Sequence, residues 1–293
     1  MSGFKRMKDA DQLVLKQRGG VVVFLESAED FEIIHKRWFF DEGQDICFQA
    51  ADSYGSGSGG GGCRAVIDLV SDARSNGIKA YGLVDRDVLL ADQNWCLWWE
   101  YEDDAFSSAR PYGAYVRVLL RWELENYLLD PDTMRTEAND EKMTSAHTAA
   151  SVLASCLGCA NELKDKAAAS IAARAANLTA PAPGFGCNPA KDGAELTAAL
   201  QELLRKQGLD DPGDAMSNAR QGVDRFDVPS ARPEVRWERL LRMLDGKASL
   251  KYISHRTRIR FDERRAALAR RMFECGRIPG EIRGYIEEFR TAV

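Results

Sequence analysis

The sequence has few of the residues that build soft-metal sites, disulfide frameworks or membrane spans. It contains three His and seven Cys, with one Cys-x-x-Cys pair at Cys156 and Cys159. No second pair or His cluster accompanies it, which argues against a zinc site and against paired disulfides. The N-terminal stretch leads into no apolar signal core, and no apolar run approaches the ~18 residues that a membrane span needs. We therefore expect a cytoplasmic protein with reduced thiols and no membrane association.

The composition of the chain is typical of a globular protein. Hydrophobic residues make up 45% and charged residues 29% of its 293 residues, which is enough for at least one well-buried core. The net charge of −5 is unevenly spread: residues 1–130 have 14 Lys and Arg against 22 Asp and Glu. This asymmetry predicts an acidic first part and a more basic second part.

Apolar strands alternate with helical segments in the first part of the chain. Val21–Leu25 is a continuous β-branched and apolar run, as in a strand buried on both faces of a parallel sheet. Further strands are predicted at 46–50, 78–84 and 115–120, with helices at about 27–40 and 63–75. This order predicts a doubly wound α/β fold with a mostly parallel sheet flanked by helices.

After Pro131 the pattern is almost wholly helical. We therefore predict an α/β catalytic domain over residues 1–131 and a mainly α-helical domain over 132–293, basic toward its C-terminal part. Residues 88–113 are interpreted as an insertion in the first domain. Its three tryptophans among acids predict a small hairpin that covers its own apolar patch, or a partner surface: Trp95, Trp98 and Trp99.

Three acids follow predicted strands directly. Glu26 comes after the first strand, and Asp85 and Asp87 come after the third. Ligands of open parallel sheets bind outside the carboxyl ends of the strands, and strand residues i and i+2 face the same side. Carboxylates converging there would hold Mg²⁺ or Mn²⁺, which prefer oxygen ligands. The alternatives are a helix cap for Glu26 and an ordinary turn at the two aspartates.

The segment Gly55–Gly62 has the lowest complexity in the chain. It lacks the Gly-Lys-Ser/Thr ending that a phosphate-binding loop needs for its lysine and its metal-binding hydroxyl. We therefore predict a mobile loop near the binding edge of the sheet.

Basic residues concentrate near the C-terminus. Between Arg236 and Arg271 there are twelve Lys and Arg against four Asp and Glu. Such a stripe could neutralise the phosphates of a nucleic acid, although a solvated helix face or a dock for an acidic partner remains open. The residues predicted to bind nucleic acid are Lys251, Arg256, Arg258, Arg260 and Arg264.

Three ordered motifs carry a family resemblance over residues ~20–130. "VVVFLE" ends in Glu26, "GLVDRD" ends in Asp85 and Asp87, and "ELENYLLD" spans Glu123 to Asp130. Together they resemble a TOPRIM-type nuclease domain, which has a Rossmann-like sheet. The resemblance is greatest to the TOPRIM-like proteins encoded beside ABC-type ATPases, among them the effectors of the PARIS anti-phage defence systems.

The resemblance implies a Mg²⁺-dependent phosphodiester hydrolase. Glu26, Asp85 and Asp87 match the family's metal-binding and catalytic acids, and Glu125 matches an added catalytic ligand supported by Asn126. Effectors of this kind are held inactive by an ABC-type ATPase subunit (AriA-like). Once released they assemble into homo-oligomers and cleave host tRNA.

Other functions stay open at the level of the residues. A DNA-cleaving nuclease of the same fold would share the chemistry, and a non-catalytic regulatory or scaffold subunit of the ATPase would carry the acids for solubility. Tyr127 could form a covalent tyrosyl intermediate, but its helical spacing with leucines favours a packed aromatic.

Overall fold

The structure is a computed structural model that describes residues 20–41, 45–54 and 62–291. The described residues form two compact units. The first is drawn from residues 1–88, 102–120 and 272–293, and the second from 89–101 and 121–271. The division into domains at residue 131 stays a prediction.

The helices and strands of the described residues follow in chain order, leaving aside short 3₁₀ turns. They are β1 (Val21–Leu25), α1 (Ala28–Ile33, continued by a π-helical turn Ile34–Trp38), β2 (Ile46–Ala50), α2 (Cys63–Ser75), β3 (Ala80–Val84), α3 (Val88–Ala91), α4 (Trp95–Trp98), α5 (Asp103–Ala109), β4 (Val116–Val118), α6 (Glu125–Leu128), α7 (Pro131–Lys142), α8 (Ala149–Gly158), α9 (Ala160–Ala175), α10 (Gly193–Lys206), α11 (Pro212–Asp224), α12 (Pro233–Leu240), α13 (Gly246–Thr257), α14 (Arg265–Glu274) and α15 (Gly280–Thr291).

The first unit is built on a four-stranded sheet in the order β2-β1-β3-β4. Every pairing is parallel, with Val22 opposite both Cys47 of β2 and Ala80 of β3, and Gly82 of β3 opposite Val116 of β4. The predicted α/β class with a parallel sheet is confirmed. Two predicted strands are also confirmed at the predicted bounds, β1 and β2, and so is helix α2.

Both faces of the central strands are covered. All five residues of β1 and all five of β3 are buried. Because successive strand residues point to opposite faces, unbroken burial means that side chains pack on each side. Helix α1 begins at Ser27 with a capping box, in which the Ser27 hydroxyl accepts from the Asp30 amide and the Asp30 carboxylate accepts from the Ser27 amide.

Helix α2 packs so close to β3 that the strand needs a glycine. A Cβ placed on Gly82 would lie 2.6 Å from Cγ1 of Val66 and 3.1 Å from Cγ2 of Val70. The first distance is shorter than carbon atoms tolerate and the second is tight, so a side chain there would force Val66 or the helix to shift. Gly82 therefore fixes the spacing of the helix that carries Cys63.

Residues 88–113 differ from the predicted hairpin. They contain no strand and instead hold the three short helices α3, α4 and α5. The Asn94 side chain caps α4 by accepting from the amide of Leu97 at 3.3 Å. Trp98 is fully buried and meets the ring of Trp122 edge to face, with centroids 4.9 Å apart. Trp98 is therefore buried as part of a short helix, and the predicted hairpin was wrong.

The C-terminal helix α15 packs within the first unit. Phe289 is fully buried and stacks on Tyr81 of β3, with ring centroids 4.4 Å apart. Glu288 forms an ion pair with Arg117 of β4, and the Glu281 carboxylate accepts from the Leu120 amide at 2.8 Å. The helix therefore supports β3 and the chain just beyond β4.

The described residues of the second unit form helices and no strand, and the helical domain predicted over 132–293 stays a prediction, since residues 272–293 belong to the first unit. The longest described helix of the second unit, α9, is buried along most of its length and packs against α10 and α11. Lys164 of α9 is buried and pairs with Asp224 at 2.8 Å and Asp227 at 2.6 Å. No helix among the described residues is both long and apolar enough to cross a membrane.

Candidate metal site at the carboxyl edge of the sheet

The strand order reverses between β1 and β3. From β1 the chain crosses to β2 on one side and then to β3 on the other. In open α/β sheets, ligands bind outside the carboxyl ends of the strands at such a reversal. Glu26 directly follows β1 and Asp85 directly follows β3, so both lie at the reversal.

The structure brings three segments together at this point. The Glu26 Oε1 atom accepts from the backbone amide of Asp85 at 2.6 Å and from the Cys63 thiol at 2.9 Å. The same Sγ atom lies 3.5 Å from Oδ1 of Asp87. A thiol has one hydrogen, so it can donate to only one of these carboxylates at a time. Glu26 and Asp87 therefore face each other across Cys63.

The electrostatics of this cluster disfavour charge on Glu26. Burial and the negative charge of Asp87 raise the pKa of Glu26 to about 8, although hydrogen bonds from the Cys63 thiol and the Asp85 amide lower it. Burial, followed by the charges of Glu26 and Asp87, also raises the pKa of the Cys63 thiol. Cys63 is therefore a neutral hydrogen-bond donor at neutral pH and a poor nucleophile.

The donor chemistry of the cluster fits a hard divalent cation. Carboxylate oxygens are the ligands that Mg²⁺ and Mn²⁺ prefer, and a cation would offset the repulsion that raises the pKa of Glu26. Among the described residues, no group of three or more His, Cys, Asp and Glu side chains is already placed to hold a metal. The side chains of Glu26, Asp85 and Asp87 would therefore have to rotate, without movement of the backbone, to share one cation.

Two neighbours of these acids were missed by sequence reasoning. Cys63 is the first residue of α2, directly after the glycine-rich segment, of which residues 55–61 lie outside the described part of the chain. Arg86, between the two aspartates, is 1% exposed. The position of Cys63 at a helix start was visible in the sequence. The burial of Arg86 was not, because a charged residue between two aspartates is typical of an exposed turn.

Glu125 belongs to the second unit, where it has its own contacts. Its Oε1 accepts from Arg265 at 2.8 Å and lies 3.4 Å from the Lys247 ammonium nitrogen. Its Oε2 is buried and has no hydrogen-bond partner in the described structure. Burial and the charge of Glu123 raise its pKa. Glu125 therefore has one carboxylate oxygen engaged and one that a cation or water would satisfy.

Asn126 and Tyr127 have structural contacts. The Asn126 side chain accepts from the Glu123 amide at 2.9 Å and donates to the Leu244 carbonyl at 2.8 Å. It thereby joins α6 to the chain just before α13. Tyr127 is 2% exposed, and the guanidinium of Arg121 lies 4.7 Å from its ring centre. These contacts favour the packed aromatic over a covalent nucleophile.

We predict that the second unit loses stability as the pH rises, through Glu123. Burial and the charge of Asp245 raise the pKa of Glu123 to about 7, although Lys247 lowers it. Between the ordinary value of 4.5 and 7, the folded state binds a proton that the unfolded state lacks. The free energy of unfolding therefore falls by up to about 1.4 kcal/mol per pH unit over this window.

Urea titrations from pH 5 to pH 8 on wild type and Glu123→Gln measure this slope. The glutamine side chain keeps the oxygen that accepts a hydrogen bond from the Lys247 backbone amide. In wild type that amide nitrogen lies 2.5 Å from Glu123 Oε1. Glu123→Gln should flatten the pH dependence. An equal slope in both proteins would remove Glu123 as its source.

The basic stripe is largely ion-paired within the second unit. Lys251 pairs with Asp262 at 2.7 Å, Arg264 with the buried Glu137 at 2.5 Å, and Arg256 with Asp192 at 3.2 Å. Arg260 pairs with the partly buried Glu141 at 3.4 Å. Arg258 makes no ion pair with any described residue, and it ends α13 in the left-handed conformation. The free positive charge is therefore smaller than the sequence count suggests.

No protein-family model matches the chain, and no curated protein or solved structure matches it either. The candidate site therefore depends on the sheet topology and on the convergence of Glu26 with the Asp85–Asp87 segment.

Proposed function

We propose that the protein is a Mg²⁺-dependent nuclease of the TOPRIM type whose site is formed by Glu26, Asp85 and Asp87. The observation that carries the proposal is the hydrogen bond from the Asp85 amide to Glu26 Oε1 at the reversal of strand order. It holds together two acids from separate strands in the crevice where this type of sheet binds ligands.

Each acid has a role in this proposal. Asp85 and Asp87 would anchor the cation, and Glu26 would bridge the cation and the water that attacks the phosphodiester. A bound divalent cation supplies charge stabilisation at the attacking and leaving oxygens and lowers the pKa of water. Glu125, which lies in the second unit, enters the proposal as a further catalytic acid by the family resemblance alone.

The biological setting follows from the family resemblance alone. In it the protein is an AriB-like toxic effector of an anti-phage defence system of the PARIS kind, held inactive by an ABC-type ATPase subunit. On release it assembles into a homo-oligomer and cleaves host tRNA. RNA is the substrate we propose first, and DNA is the alternative within the same chemistry.

Incubation of the purified protein with total RNA and with plasmid DNA tests the reaction class. Each substrate is supplied with Mg²⁺, with Mn²⁺ and with a chelator. We expect cleavage of RNA that requires the cation and stops on chelation. Cleavage of plasmid alone would move the proposal to a DNA nuclease, and cleavage that persists in chelator would contradict the metal site.

A non-catalytic scaffold is favoured by one observation. Within the described residues no three-ligand metal group is formed, and Glu26 is already engaged by neutral donors. A scaffold would bind the ATPase equally well with or without divalent cation and would cut neither substrate. The cleavage assay separates these two functions directly.

We expect Arg258→Glu to weaken RNA binding and to reduce the dependence of binding on salt. Arg258 is exposed and makes no ion pair with a described residue, so its charge is available to a phosphate. Losing one phosphate contact lowers the slope of log K against log salt by roughly 0.7 to 0.9. Fluorescence anisotropy with labelled RNA at several salt concentrations measures this slope.

Arg264→Gln is the matched control for that measurement. Arg264 is paired with the buried carboxylate of Glu137. Its loss should lower thermal stability, because it leaves the buried Glu137 with only the longer 4.0 Å contact to Arg271, and should change the salt slope less than Arg258→Glu does. An unchanged slope in Arg258→Glu would assign the stripe to packing within the second unit.

A further inference from the structure

Arg86 is a buried cation in the turn that carries the two aspartates. Its side chain is 1% exposed, although charged residues are rarely buried unless they are paired or hydrogen-bonded. Its Nη1 donates to the Leu120 carbonyl at 2.7 Å, and its guanidinium lies 4.2 Å from the ring centre of Phe106. The turn after β3 is therefore tied to the chain just beyond β4 and to α5.

The peptide groups of Leu120 link this contact to the C-terminal helix. The Leu120 carbonyl accepts from Arg86, and the Leu120 amide donates to the Glu281 carboxylate at 2.8 Å. The ladder between β3 and β4 also continues past β4, since the Leu119 amide donates to the Val84 carbonyl at 2.9 Å. The position of the aspartate turn is thus fixed from both strands and from α15.

The burial of Arg86 has a consequence for the acids beside it. A flexible turn would let Asp85 and Asp87 move apart, because like charges repel. Arg86 restricts that movement with a hydrogen bond and with ring contact that lysine cannot reproduce, because the guanidinium is planar and donates in a fixed geometry. The same anchoring keeps the Asp85 amide 2.6 Å from Glu26 Oε1.

We infer that Arg86 is a positioning residue that holds Asp85 and Asp87 against Glu26 and Cys63 for cation binding. This inference rests on the proposed metal site, which it deepens by naming what orders its ligands. Arg86 acts through the backbone of the turn and needs no contact with cation or substrate. Residues of this kind typically set metal affinity by roughly 10- to 100-fold.

Arg86→Lys tests the inference, with Arg74→Lys as the matched control. Arg74 makes the same two kinds of contact at the other end of β3: its Nε donates to the Ala80 carbonyl at 2.8 Å, and its guanidinium lies 3.7 Å from the ring centre of Tyr115. Both substitutions keep the charge and should lower the melting temperature to a similar extent. Only Arg86→Lys disturbs the aspartate turn.

Two readouts separate positioning from stability. The first is the rate at which iodoacetamide alkylates Cys63 in chelator, assigned by mass spectrometry. The second is the dissociation constant for Mn²⁺ measured by electron paramagnetic resonance. For Arg86→Lys we expect Cys63 alkylation about tenfold faster, equivalent to about 1.4 kcal/mol of lost local stability, and Mn²⁺ binding at least about tenfold weaker. Arg74→Lys should leave both near the wild-type values.

The outcomes distinguish this inference from the proposed function. If Arg86→Lys lowers the melting temperature as Arg74→Lys does but changes neither readout, Arg86 is structural only and the inference fails. If wild type binds no Mn²⁺, the metal site fails and the inference fails with it, whatever the alkylation rates show. Faster alkylation together with weaker Mn²⁺ binding in Arg86→Lys alone supports both.

Discussion

Glu26→Gln is expected to abolish cation-dependent cleavage while leaving the protein at least as heat-stable as wild type. The amide keeps the shape of Glu26 and the oxygen that accepts from the Asp85 amide and the Cys63 thiol. It removes the negative charge that the cation and the attacking water require. We expect a loss of at least about 1,000-fold in cleavage rate, as for other essential catalytic groups.

The expected effect of Glu26→Gln on the melting temperature depends on pH. The pKa of Glu26 is raised to about 8 by burial and by Asp87, so the folded protein is penalised as Glu26 ionises. Glu26→Gln removes that penalty and should raise the melting temperature most above pH 8, with little change below pH 5. Melting curves at both pH values in chelator measure the difference.

Glu287→Gln is the control for both measurements. Glu287 is an exposed acid on α15 in the same unit, so the substitution removes one charge without touching the cluster. It should leave cleavage and the pH dependence of melting unchanged. Undiminished cleavage by Glu26→Gln would remove Glu26 from the proposed mechanism, whatever its effect on stability.

Phe289→Ala is expected to destabilise the first unit by about 3–5 kcal/mol. Phe289 is fully buried and stacked on Tyr81, so truncation removes apolar contacts and leaves a cavity against β3. Because β3 carries Asp85 at its end, cation binding should weaken as the unit unfolds. Chemical denaturation followed by circular dichroism measures the free energy of unfolding.

The exposed Phe40 supplies the comparison for that substitution. It is 53% exposed, so Phe40→Ala should change the free energy of unfolding by no more than about 1 kcal/mol. Equal effects of the two substitutions would mean that α15 contributes no more than a surface contact. The prediction also implies that removing residues 272–293 destabilises the sheet.

Local patterns predicted the sheet and much of its surroundings. A continuous apolar run placed β1, the short segment at 46–50 placed β2, and the spacing of apolar residues placed α2. The acids at the ends of β1 and β3 were predicted to meet because parallel strands end at one edge. The structure brings Glu26 together with the Asp85 amide and with Asp87, through the Cys63 thiol.

Features that depend on contacts distant in the sequence were not predicted. Nothing local indicates that α15 packs beside β3 and β4, or that Arg86 is buried by Leu120 and Phe106. The tryptophans of residues 88–113 suggested a hairpin, yet Trp98 is buried from a short helix against Trp122. The ion pairs of the basic stripe likewise join residues far apart along the chain, as with Arg264 and Glu137.

A Mn²⁺-soaked crystal, measured at a wavelength where manganese scatters anomalously, tests the metal site most directly. We predict an anomalous peak bound by carboxylate oxygens of Glu26 and of at least one of Asp85 and Asp87, and no such peak in crystals of Glu26→Gln. A wild-type map with no peak at the carboxyl edge of β1 and β3 would contradict the proposed site.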